Sequence, residues 1–153
     1  MPKASVKRII ECNKNQLIDL VLDIEKYPEF VPFCLKAHVY ERKNEEDLVS
    51  IIADLTIGKG PFKDTYKSDV KFKKKDNTII VTNIGGPLNH LENTWHFMEH
   101  ESGTEIFFDI DFEIENKFLN IVMTKSFQFG LDKIADAFQK RAEELFYNSK
   151  NYI

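Results

Sequence analysis

The sequence predicts an α+β fold in which a curved antiparallel sheet of about seven strands is wrapped around a long C-terminal helix, with residues 1–153 forming one domain. Three observations carry this. Period-two alternation dominates from about residue 35 to residue 115, and the period switches to 3.6 after Asn116. Between a short N-terminal helix and the sheet, Tyr27-Pro28-Glu29-Phe30-Val31-Pro32-Phe33-Cys34 sets two prolines four residues apart among three aromatics.

Residues 3–12 alternate, with Ala4, Val6 and Ile10 on one face and Lys3, Ser5, Lys7 and Ile9 on the other, which is the pattern of a half-buried strand. Asn13 or Asn15 then caps a helix whose Leu17, Leu20, Val21 and Ile24 recur at helical spacing. Proline biases the residue before it toward extended backbone, so Tyr27 and Val31 are expected outside the α-helical region, and the segment reads as a short turn-like helix whose apolar side chains form a lid or rim, or as a loop pinned to the core.

Turn signals at residues 43–46, 58–61, 76–77, 85–89 and 101–103 divide the alternating stretch into six strands. Each strand has one apolar face: Val49, Ile51, Ala53, Leu55 and Ile57; Phe62, Tyr66, Val70 and Phe72; Leu91, Asn93, Trp95 and Phe97; Ile106, Phe108, Ile110, Phe112 and Ile114. The dry face needs a cover. The stripe Phe118, Leu119, Val122, Met123, Phe127, Ile134, Phe138, Ala142 and Leu145 provides it, on a helix of about 45 Å at ~1.5 Å per residue. A curved sheet around one rod leaves a gap at its wide end, and the lid at 27–34 lies where that gap would open.

With 153 residues, 42% hydrophobic and 30% charged, the chain can bury a full core without staples. Cys12 and Cys34 fall in no CxxC or Cys/His cluster and read as reduced, packed thiols, which favours the cytosol. The first residues carry no signal-peptide pattern, and no apolar run reaches the ~18 residues that span a bilayer. A formal net charge of −4 argues against a dedicated DNA binder.

His96 and His100 sit on a strand, where four residues span about 13 Å, too far apart for one metal. Gly58-Lys59-Gly60 and Gly85-Gly86-Pro87 lie between strands and read as bends rather than phosphate cradles. No nucleophile elbow or Cys/His pair is present, so no catalytic constellation, catalytic cofactor or metal is expected. Asp109, Asp111 and Glu113 alternate with Phe108, Ile110 and Phe112 and should face water, paired with Lys3 and Lys7 if the last strand lies beside the first. Asp64, Tyr66, Ser68, Asn83, Asn93 and Trp95 fall at inward parity, where each costs ~1–3 kcal/mol unless hydrogen-bonded. They form either a closed network or a set of donors for a ligand head group, and Asp64 with Tyr66 is the best acid/base pair available to an enzyme. Lys63, Lys67, Lys71 and Lys73 make an outer basic stripe, which is a solvated face, a contact for an anionic membrane surface, or a contact for ribosomal RNA.

The segments 23–34, Ala53-Asp54-Leu55-Thr56-Ile57-Gly58, Asp64-Thr65-Tyr66-Lys67-Ser68, residues 86–97 and Phe138-Gln139-Lys140-Arg141-Ala142 together resemble the coenzyme Q-binding branch of the START-like superfamily, also called the polyketide cyclase/dehydrase superfamily. The resemblance covers nearly the whole chain and implies the helix-grip fold. It further implies a small lipid or quinone binder that supports respiratory electron transport, with bacterial relatives described as toxins that block ribosome association. On that basis the expected protein is a non-catalytic carrier of coenzyme Q (ubiquinone) or a similar prenylated lipid, cytoplasmic or peripheral to a bacterial inner membrane. Its pocket would be lined by Phe30, Val31, Phe33, Ile51, Ala53, Leu55, Phe62, Val70, Val81, Leu88, Phe108, Leu119, Val122, Met123 and Phe127, with Asp64, Tyr66, Asn93 and Trp95 as polar contacts. The alternatives are a ribosome-associating, toxin-like regulator using the lysine stripe and a cyclase/aromatase-like enzyme using Asp64 and Tyr66.

Overall fold

The computed structural model of the protein describes residues 3–59, 61–85, 88–114 and 131–147. Strand β1 (Lys3–Ile10) ends two residues earlier than the alternation suggests, because Cys12 turns back to donate its N–H to the Ile10 carbonyl at 2.8 Å. Asn13 caps helix α1 (Lys14–Leu22): its side chain accepts from the Asn15 N–H at 2.8 Å, while Gln16 reaches back to the Asn13 N–H at 3.2 Å. Leu17, Ile18, Leu20, Val21 and Leu22 are all buried, so α1 is embedded in the core.

Six further strands follow: β2 (Cys34–Asn44), β3 (Leu48–Lys59), β4 (Phe62–Lys73), β5 (Thr78–Gly85), β6 (Leu88–His100) and β7 (Gly103–Ile114). They form one antiparallel sheet in the order β1-β7-β6-β5-β4-β3-β2, a meander that the first strand closes by pairing with the last. Register shifts in β2, at Lys67/Ser68 and at Leu88/His90 insert extra residues, and such bulges bend strands and increase twist. The result is a curved sheet with a C-terminal helix α2, helical over the described residues 131–142 and continuing as a π-turn, Glu143–Tyr147. Leu131, Phe138 and Ala142 of α2 are buried in one core with Val6, Ile51, Ile79, Trp95, Phe97 and Phe108 of the sheet.

The short turn-like helix is a 3-10 turn (Ile24–Glu29) that holds Tyr27 immediately before Pro28, its phenol donating to the Val21 carbonyl. One expectation is corrected. Leu145 does not continue the buried stripe and is 42% exposed, because the π-turn changes the angular step per residue and rotates it off the core face. Phe118, Leu119, Val122, Met123 and Phe127 lie outside the described residues.

The β6–β7 turn leaves no room for a side chain at Gly103. Its φ is +139°, and a Cβ there would sit 2.1 Å from the Ile10 carbonyl oxygen of β1. Gly103→Ala should therefore strain both the turn and the β1 edge, costing about 2–3 kcal/mol in a urea denaturation series. An unchanged midpoint would show that β1 can move aside.

Candidate functional site

The register brings the inward residues into rows across the concave face. One row runs Val39, Ala53, Ser68, Asn83; the row on one side runs Ala37, Leu55, Tyr66; the row on the other runs Ile51, Val70, Val81, Asn93, Ile110. Trp95 and Phe108 pair directly, with ring centroids 4.3 Å apart. Ile51, Ala53, Val70, Trp95 and Phe108 are buried, whereas Leu55, Tyr66 and Val81 keep part of their surface. Phe62 and Leu88 begin β4 and β6, at the end of the sheet beside the lid. Leu119, Val122, Met123 and Phe127 are not among the described residues.

The lid follows from an aromatic knot. Phe138 of α2 meets Tyr27, Phe30 and Trp95 edge-on, with centroids 5.4, 5.1 and 5.1 Å apart, and so joins lid, helix and sheet. Arg141 lies over the Phe30 ring at 5.3 Å and pairs with Glu29 at 3.0 Å, latching the lid to α2. An open groove of about 540 Å³ runs along this seam between Phe30, Pro32, Ala137 and Arg141. Val31 is half-buried against the core, but Phe33 is 40% exposed. It adopts φ +69°, fixed by a hydrogen bond from the Gly58 N–H to its carbonyl at 2.9 Å.

The polar residues separate into satisfied and unsatisfied ones. Trp95 Nε1 donates to Asn93 Oδ1 at 3.0 Å, and Asn93 Nδ2 donates to the Asp109 carbonyl at 2.7 Å, so the one indole N–H is already engaged within the sheet. Asn83 Oδ1 accepts from the Leu91 N–H at 2.8 Å. Asp64 shares the parity of Tyr66 but is exposed, accepting from the Thr65 N–H at 2.9 Å. Ser68 is 1% exposed, and its Oγ makes no hydrogen bond of ordinary geometry among the described residues.

Tyr66 is pushed up to about 12, first by burial and then by the neighbouring Cys34, while the nearby Ser68 hydroxyl offsets part of the rise. Ser68 is therefore near the phenol but outside ordinary hydrogen-bond geometry. Burial raises Cys34 to about 11, and Tyr27 is driven far above the ordinary phenol range by burial first, then by Tyr66 and Cys34. These three groups are neutral at physiological pH. Both cysteines are free thiols and buried. No group of three His, Cys, Asp or Glu among the described residues could hold a metal.

On the convex face, Lys3 pairs with Asp111 at 3.7 Å, and Lys7 reaches Glu105 at 3.4 Å. The basic stripe is interrupted. Lys71 pairs with Asp69 at 3.2 Å, and Lys67 sits 4.9 Å above the Tyr40 ring, whose hydroxyl donates to Asp54. Sequence reasoning passed over Phe138 and Arg141 as parts of the lid, because their partners lie more than a hundred residues away. Ser68 was visible as an inward polar residue; what marks it out is Ala53 directly opposite, which only the register shows.

The profile of a family described as polyketide cyclase/dehydrase and lipid transport matches residues 12–139. The chain is 33% identical over 141 residues to the ribosome association toxin RatA of Rickettsia prowazekii, covering 90% of this chain and 94% of that one. It is 31% identical over 141 residues to the mitochondrial coenzyme Q-binding protein COQ10 of Dictyostelium discoideum, covering 90% of this chain and 67% of that one. A START superfamily protein from Mycobacterium smegmatis superposes with a TM-score of 0.80 at 18% identity, covering 95% of this chain and 99% of the other, and shares the helix-grip fold.

Proposed function

We propose that this chain, which belongs to the polyketide cyclase/dehydrase and lipid transport family, is a non-catalytic carrier of a hydrophobic ligand, with coenzyme Q or a similar prenylated lipid as cargo, supporting respiratory electron transport. The observation that carries this reading is the uneven burial of the concave face: Leu55, Tyr66 and Val81 retain surface next to fully buried Ile51, Ala53 and Ile79. Apolar rows left partly open beside a filled core give a hydrophobic ligand a surface to bind. The similarity to a coenzyme Q-binding protein supports the choice of cargo. Asp64 is exposed and accepts from the Thr65 N–H rather than from the Tyr66 phenol, which argues against the two acting as an acid/base pair and so against a cyclase. No helix among the described residues is long and apolar enough to cross a membrane, and delivery at an anionic membrane surface through the outer lysines belongs to the same reading.

Organic extraction of the purified protein followed by mass spectrometry should recover a prenylated lipid. Delipidated protein titrated with a short-tailed ubiquinone to a hundred times Kd should gain about 2.7 kcal/mol, a rise in Tm of roughly 5–10 °C. If the melting temperature stays flat for every tail length, the carrier reading loses its basis.

A second reading, a toxin-like regulator that binds ribosomes, is favoured by the similarity to the Rickettsia toxin. The pairing of Lys71 and the stacking of Lys67 weaken the stripe as an RNA contact. Replacing Lys67, Lys71 and Lys73 with glutamate separates the two readings: ribosome co-sedimentation should collapse only if the stripe is that contact, whereas ubiquinone binding in solution should be unchanged.

A further inference from the structure

We infer that Ser68 and Tyr66 form the point at which the carrier reads the polar head of its ligand, through hydrogen bonds to an uncharged oxygen such as a ring carbonyl or an ether. This inference rests on the carrier reading and adds the chemistry of the head.

Geometry supplies the first half of the argument. Ser68 lies midway along β4 on the concave face, directly opposite Ala53, with Val39 beyond Ala53 and Asn83 on its other side. Ala53 and Ser68 are the smallest side chains in their row and are flanked by the larger pairs Leu55 with Tyr66 and Ile51 with Val70, so less side-chain bulk stands on the sheet at Ala53 and Ser68 than at the pairs on either side. Ser68 is 1% exposed, and its hydroxyl has no well-formed hydrogen bond among the described residues. A buried hydroxyl whose polar neighbour, the Tyr66 phenol, lies outside ordinary hydrogen-bond geometry is costly, and a ligand oxygen accepting from both would satisfy them. The other inward polar groups are accounted for: Asn93 and Trp95 hold each other, Asn83 holds the Leu91 N–H, and Asp64 is at the surface.

Electrostatics supplies the second half. Tyr66, Tyr27 and Cys34 form a group of weak acids, and each is pushed toward its neutral form mainly by burial. Surroundings that resist a phenolate resist any anion brought to the same place. A carboxylate or phosphate head would meet the same penalty. Ser68 and Tyr66 can each donate to a neutral acceptor at no such cost. The chemical class is thus an apolar body bearing a neutral oxygen acceptor.

Three ligands with the same isoprenoid tail test this, with Kd measured by displacement of a fluorescent isoprenoid reporter: a dimethoxybenzoquinone, the hydrocarbon lacking a head, and the carboxylic acid. Wild-type protein should bind the quinone most tightly and the acid least tightly at pH 8. Ser68→Ala and Tyr66→Phe should each weaken quinone binding about tenfold, the worth of roughly one hydrogen bond to a buried partner, and leave hydrocarbon binding unchanged. The Tm of unliganded Ser68→Ala should hold or rise, since an unpaired buried hydroxyl is removed. If quinone and hydrocarbon bind wild type equally, or both variants weaken the two alike, head recognition at Ser68 and Tyr66 is overturned while the carrier reading stands. If the wild type binds none of the three, the carrier reading fails and this inference goes with it.

Discussion

Phe138→Ala should lower stability by about 3–5 kcal/mol, a loss of roughly 10 °C in Tm for a domain of this size. The ring is 5% exposed and touches three elements that the chain brings together from far apart: Tyr27 and Phe30 of the lid, and Trp95 of β6. Truncation leaves a cavity where all three meet, and the edge-on contacts with the lid disappear along with the buried area. The lid then keeps Tyr27's bond to Val21, the bond from the Gly58 N–H to the Phe33 carbonyl, the packing of Val31, and the Glu29–Arg141 pair, which is partly exposed and worth little by itself. Release of bound ligand should therefore accelerate beyond what a uniform loss of stability would produce. Leu145→Ala, one turn past the buried stripe, should change the urea midpoint by no more than about 0.5 kcal/mol. Equal costs for the two substitutions would mean that α2 does not pin the lid as described.

The contrast between Phe138 and Leu145 also shows what the sequence could and could not reveal. Periodicity located all seven strands and their turns, because a half-buried strand must alternate, and its alternation does not depend on which strand lies beside it. It also placed Phe138 on the covering face. It could not foresee that a π-turn would begin at Glu143, since one extra residue in a turn leaves the composition untouched while rotating everything after it. The lid shows the same limit. Proline chemistry forecast a short turn-like helix here, but not the phenol's bond to Val21 or its contact with Phe138, which fix Tyr27 in the 3-10 turn. Inward parity was legible for Ser68, Asn93 and Trp95. Whether each was satisfied depended on the partner across the ladder, and register is a tertiary property. That is why Asn93 and Trp95, read as head-group donors, turn out to be occupied with each other, and why Asp64, at the right parity, is left at an exposed end.

Alkaline pH should unfold this protein more steeply than its composition suggests, and Tyr66 should account for a measurable share. Tyr27, Tyr66 and Cys34 are acids whose folded-state pKa values are raised from 10, 10 and 9, Tyr66 to about 12 and Cys34 to about 11. Their contribution is fully present below the pKa values of the unfolded chain and is lost as pH climbs toward the folded values, because the unfolded chain sheds protons that the folded chain retains. From about pH 9, where Cys34 begins to titrate in the unfolded chain, stability should start to fall. Above pH 10 each buried tyrosine adds a loss of about 1.4 kcal/mol per pH unit, so by pH 12 the two phenols together remove about 5 kcal/mol, the lower end of a domain's whole stability. Urea denaturation of wild type and Tyr66→Phe from pH 8 to pH 12 isolates one of them. Relative to wild type, the variant should gain about 2–3 kcal/mol across that range, since phenylalanine has no proton to lose. Parallel pH profiles for the two proteins would show that Tyr66 ionises as freely in the fold as out of it. In that case the surroundings of Ser68 would accept an anion, and the preference for an uncharged ligand head would have no electrostatic basis.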